Sequence, residues 1–209
     1  MNNLFSPNML APYKSKGLMK LLAIIFLVCV QQVAFGQSYS RIDLTGNPKA
    51  KGLSIAVKYP AGWEVKDGER PNIVKKFSRN YPDYIALLMV QVNNLPREAL
   101  PEIKSFTLKD WQEVLGELGT VSNSSVQSLE GQKVFVSDLT LKMDRMSASV
   151  IQKQRVVGMF YKEKWIWLWC GVAANSSMPM SQVENRFQTT TPVCSQFYNS
   201  LVLLDRYLK

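Results

Sequence analysis

The segment KWIWLWCGVAA, residues 164–174, offers no polar side to water. Successive side chains of a strand point to opposite faces, so Trp165, Trp167 and Trp169 stand on one face and Ile166, Leu168 and Cys170 on the other. A strand that is apolar on both faces must be covered on both. The sequence therefore predicts a sheet with one layer above it and another below.

Working outward, two more long strands precede it, residues 133–144 and 148–161, separated by Arg145-Met146-Ser147 and Lys162-Glu163. Connections this short make antiparallel hairpins. Upstream, residues 53–59, 73–78 and 84–92 read as further strands, the last with Tyr84, Ala86, Leu88, Val90 and Val92 on one face. Between the two groups Ile103, Phe106, Trp111, Val114, Leu115 and Leu118 keep helical spacing, with Thr107 and Asp110 as a capping box and Gly119 at the C′ position. Toward the end, residues 181–188 read as a short helix. A second helix is expected to start at Pro192, its stripe made by Val193, Phe197, Leu201, Leu204 and Leu208. The fold class is then α+β: an antiparallel sheet covered on both faces by helices, an α/β/α sandwich.

The first 36 residues have the order of a cleavable export signal. Lys14, Lys16 and Lys20 come without an acid, then the apolar run 21–30, then Ala34 and Gly36 as small residues before Gln37. Ten apolar residues fall short of the roughly 20 that cross a bilayer as a helix, so no permanent transmembrane anchor is expected. Met19 opens a signal of ordinary length and reads as the true start. Cys29 follows Val28, whereas lipid-modified cysteines follow a small residue. Beyond the signal, residues 37–52 read as a loose segment and 53–209 as a single domain.

Removing residues 1–36 takes away three lysines and no acids, leaving 22 basic against 16 acidic side chains, a net +6. A moderately basic surface favours anionic partners, but no run of five or six basic residues marks a nucleic-acid arm. Cys170 and Cys194 remain as an even pair in an oxidising compartment. A bridge between them would close a loop of about 25 residues, worth about 3.5 kcal/mol on the chain-entropy estimate. It would dock the C-terminal helix on the Ile166, Leu168, Cys170 face and leave the tryptophan face to the helix near Trp111 or to a partner. The alternative is two buried free thiols.

A strand runs into Tyr59-Pro60-x-x-Trp63, a central helix and a long antiparallel meander follow, and the C-terminal helix carries Phe197-x-Asn199-Ser200-Leu201. This element order resembles the PsbP-like family, the group of the extrinsic PsbP subunit of photosystem II and DcrB-type bacterial envelope proteins. The likeness covers about residues 52–206. It implies an α/β/α sandwich used in non-catalytic assembly or binding and transfers no functional residues. DcrB-type proteins are typically lipoproteins, and the residues before Cys29 depart from that pattern.

Histidine is absent, which excludes Ser/His and Cys/His nucleophile pairs and imidazole metal sites. Carboxylates that could pair for hydrolysis are Glu98, Glu102, Asp110, Glu113 and Asp83, each also explained as a cap or solvated face. Two features suggest binding. Trp165, Trp167 and Trp169 make either core or a ligand face that stacks sugars or bases. Lys142, Arg145, Lys153 and Arg155 make either a solvated strand face or a contact for anionic lipid or glycan, with Lys153 and Arg155 on one side. The expectation is an exported, non-enzymatic binding or accessory protein of the periplasm or extracellular space, without a cofactor, whose partner is an unknown protein or anionic envelope component. The alternatives are a histidine-free hydrolase and a secreted factor acting on another cell.

Overall fold

The computed structural model describes residues 37–207 apart from residues 146 and 147, and the side chains of 145–148 are likewise left aside. The segment expected to be an export signal, with Met19 and Cys29, lies outside the described residues. Strand β1 is Tyr39–Asp43, β2 Ile55–Pro60, β3 Glu64–Asp67, β4 Ile73–Asn80 and β5 Tyr84–Asn94. After a one-turn helix α1 (Leu100–Ile103) and the helix α2 (Leu108–Gly116) come β6 (Thr120–Leu129), β7 (Gln132–Arg145), β8 (Ala148–Tyr161) and β9 (Lys164–Asn175). Helix α3 (Met180–Asn199) and the short strand β10 (Val202–Leu203) finish the chain.

Seven strands form one antiparallel sheet in the order β3-β4-β5-β9-β8-β7-β6, and β1-β2-β10 form a second. The fold is α+β with antiparallel sheets, and β9 lies at the centre of the larger one. The β8–β9 hairpin turns on Lys162 and Glu163, with φ of 47° and 57°. Two consecutive positive φ values give the turn whose twist matches the flanking strands.

The two sides of β9 build separate cores. Ile166, Leu168 and Cys170 pack with Phe77, Leu88 and Val157, beneath Val193, Cys194 and Phe197 of α3 and Ile55, Val57 and Leu203 of the small sheet. Cys170 and Cys194 are joined by a disulfide. The tryptophan side meets Trp111 and Leu115 of α2 with Phe135, Leu139 and Val156. This matches the assignment of faces read from the sequence, except that helical cover on the second side is partial: α2 has nine residues against twenty in α3.

Three further expectations need correction. Residues 37–52 are not loose throughout, because β1 pairs with β2 along its length and Pro48–Ala50 form a 3-10 turn. The C-terminal segments are one helix, not two: α3 runs through Pro192, and in the turn before it the hydroxyls of Thr190 and Thr191 donate to the carbonyls of Arg186 and Phe187. That helix stops at Asn199, where the Ser200 hydroxyl donates to the Phe197 carbonyl at 2.6 Å and accepts from the Lys58 amide at 2.7 Å. Leu201 and Leu203 are therefore buried as parts of an extended segment against β2. Leu208 lies outside the described residues. Gly119 does return its N–H to the Leu115 carbonyl, but space is what it supplies, since a Cβ there would stand 2.3 Å from the Thr140 carbonyl oxygen. Among the described residues no helix is long and apolar enough to cross a membrane.

Candidate functional site

The tryptophan stripe is divided by the reach of α2. The Thr107–Asp110 capping box starts that helix, the Thr107 hydroxyl accepting from the Asp110 amide and the Asp110 carboxylate from the Thr107 amide. One turn later Trp111 is driven fully into the sheet, its indole N–H donating to Ser137 Oγ at 2.9 Å. Its ring lies 6.0 Å from Trp165 and 5.0 Å from Trp167. Trp165 is further enclosed by Phe106 and Phe160. Trp165 itself is partly buried and packs against the core cluster of Trp111, Phe135 and Trp167.

Beyond Trp167 the cover ends. A half-enclosed groove of about 700 Å³ runs along the sheet there, with Trp167, Trp169, Leu87, Met89, Leu141, Met143 and Gln154 among its lining residues. Ile85 and Leu118 also line it, and both are large apolar side chains left 43% and 50% exposed. Its β3–β4 wall carries Glu64, Lys66, Glu69, Arg70 and Lys76. Glu64 pairs with Lys66 at 2.7 Å and Glu69 with Lys76 at 3.2 Å. Trp167 and Trp169 stack on each other, centroids 5.4 Å apart, and are 6% and 8% exposed.

Polar atoms in this floor stay unmatched. The indole N–H groups of Trp165, Trp167 and Trp169 and the side-chain oxygen of Gln154 are buried without a hydrogen-bond partner among the described residues. Gln154 spends its amide nitrogen on the Gln152 side chain. Buried polar atoms without partners are uncommon in folded proteins and call for an explanation at each site.

The basic residues fall differently from the sequence expectation. Lys153 and Arg155 do share a face, but it is the face beneath α3, not open surface. The Lys153 ammonium lies 3.4 Å from Glu184 of that helix. Arg155 makes two bonds to the nearly buried Asp138, at 2.7 and 3.0 Å, which raise its pKa further against the opposing effect of burial. Neither cation is left free for an external anion. Lys142 is exposed, and the Arg145 side chain lies outside the described residues.

Three of the candidate carboxylates are engaged by partners within the chain. Asp83 is bound by Arg186 at 2.8 Å, Asp110 is committed to the α2 cap, and Glu113 lies 3.6 Å from Lys109. Glu98 and Glu102 belong to the 3-10 turn Arg97–Ala99 and to α1. Among the described residues no group of three or more acids and cysteines could hold a metal ion.

Sequence reasoning singled out Trp167 and Trp169 but not their neighbours Gln152 and Gln154. The signal was present: two glutamines of the same parity, in a strand whose partners on that side are tryptophans, glycine and alanine, are misplaced in a closed core.

No protein-family model matches the chain, and no curated protein matches it. Similar solved structures include the cyanobacterial PsbP, CyanoP, of Synechocystis sp. PCC 6803, at 15% identity over 81% of this chain and 95% of that one, TM-score 0.41. The Ran-binding protein Mog1p of Saccharomyces cerevisiae has 10% identity over 82% and 98%, TM-score 0.47. LpqN of Mycobacterium tuberculosis, involved in cell envelope biogenesis, has 11% identity over 78% and 90%, TM-score 0.44. One of the three is a PsbP protein, the family whose element order the sequence resembles. All three TM-scores lie below 0.5, so the architecture rests on the strand order and packing described above.

Proposed function

We propose that the chain is an exported, non-catalytic binding protein and that the groove beside Trp167 and Trp169 is its binding surface. The observation that carries this reading is the groove itself: tryptophan, leucine and methionine side chains interrupted by Gln91, Gln152 and Gln154, with exposed Ile85 and Leu118 among its lining residues, on the sheet face that its helix covers only in part. Its volume lies in the range of roughly 300–1,000 Å³ usual for small-molecule sites. Contiguous exposed apolar surface commonly marks such sites. Support for export comes from the signal-like order of the first 36 residues and from a disulfide, a bond that persists in oxidising compartments.

The test is to purify the exported protein natively and measure its mass before and after denaturation. Retention of a small molecule by the wild type, and its loss from a folded Leu87→Trp variant that fills the groove, is the expected result. A ligand held equally by that variant would place binding elsewhere, and a cytosolic product with an intact N-terminus would remove the export half of the reading.

A further inference from the structure

We propose that this groove takes an acylated anionic amphiphile: an apolar chain along the floor, a hydrogen-bonding link beside Gln154, and an acidic head toward Arg70. The inference rests on the groove being the binding surface.

The chain is argued from the lining. Leu87, Met89, Leu141 and Met143 are flexible side chains that repack around a slender apolar body. A sugar or a base would need an open indole face. Here the Trp167 ring is flanked by Trp111 at 5.0 Å and Trp169 at 5.4 Å, and Trp169 is 8% exposed. The tryptophans offer edges and backing, not stacking platforms.

The link is argued from the unmatched atoms. Gln154 is 4% exposed and its side-chain oxygen needs a donor, while the indole N–H groups of Trp167 and Trp169 need an acceptor. A secondary amide supplies both at once. Pairing buried polar atoms restores what their desolvation cost.

The head is argued from charge. Of the five charged residues on the β3–β4 wall, Glu64 with Lys66 and Glu69 with Lys76 are ion-paired. Arg70 is exposed, with no acidic partner among the described residues, leaving the wall one positive charge in surplus.

The experiment titrates the exported protein with N-dodecanoylglycine below its micellar concentration, following tryptophan fluorescence and heat. Its methyl ester removes the charge, its N-methyl analogue removes the donor, and dodecyl maltoside offers a sugar head. The acid is expected to bind best, the ester and the N-methyl analogue each about three- to fivefold more weakly. Arg70→Gln, an exposed change that spares the fold, should erase the difference between acid and ester. Gln154→Leu should erase that between the acid and its N-methyl analogue. If ester and acid bind equally to wild type, the acidic-head assignment is overturned while the groove stands. If N-dodecanoylglycine binds Leu87→Trp as well as wild type, the groove reading itself fails. A folded protein that binds no acyl probe, or that prefers the maltoside, overturns the ligand class.

Discussion

The two faces of the large sheet start from the same alternation in β9 and end differently. Beneath α3, the apolar side chains, the small sheet and the Cys170–Cys194 bridge make a closed layer, and even the cations Lys153 and Arg155 are matched by Glu184 and Asp138. Beneath α2, one helix of nine residues packs over part of the tryptophan stripe, and the groove runs along the rest beside Trp167 and Trp169. Apolar alternation demands a cover on each face, but the length of the covering element decides how much of the face becomes core. The uncovered remainder forms the groove.

The contrast can be broken most directly at Trp111. Replacing it with alanine should cost about 3–5 kcal/mol, because it removes a fully buried ring and its hydrogen bond to Ser137. A loss below about 1 kcal/mol in urea unfolding would show that α2 is not what seals its end. On the opposite face, Cys170→Ala with Cys194→Ala should lose about 3.5 kcal/mol. Two alkylatable thiols in the unreduced protein would remove the covalent tie from the comparison.

Asp138→Ala tests whether the closed face depends on matched charge. Removing one partner of a buried pair costs about 3–5 kcal/mol, and discounting for the partly exposed Arg155 side chain gives about 2–3 kcal/mol. Thr107→Ala should cost about 1 kcal/mol through the lost cap and act on the α2 side alone. The smallest effect is one of pH. Hydrogen bonds from the Thr107 amide and hydroxyl hold Asp110 below the usual carboxylate range, and Lys75 does the same for Asp67. A lowered folded pKa gives stability that is present above the unfolded value near 3.9 and is lost as pH falls through the folded one. The melting temperature should therefore be flat in these groups from pH 7 to 5 and decline below about pH 4, less steeply in Thr107→Ala.

The central strands, the capping box and the division of β9 into two apolar faces were legible because each leaves a periodic or local chemical trace. The edges were not. TVSNSSVQSL of β6 and YSRID of β1 are half-exposed edge strands whose pairing partners, not their own alternation, make them strands. The end of α3 was hidden because Leu201, Leu204 and Leu208 keep helical spacing, while Ser200 and the open edge of β2 pull the chain into a strand instead. The cover over Lys153 and Arg155 was invisible to parity alone, which shows that two residues share a side but not what lies over it. The groove was half legible. The tryptophans announced an aromatic face, whereas its extent depends on where α2 ends in space.

That endpoint traces back to a single missing carbon. A Cβ on Gly158 would stand 2.6 Å from the Trp111 ring, so β8 is notched where the indole rests. Fill the notch and the helix must ride up or slide along the strands, redrawing the boundary between closed interior and open channel. Gly158 is not among the residues that line the groove, so variation there would reshape it without altering one of them.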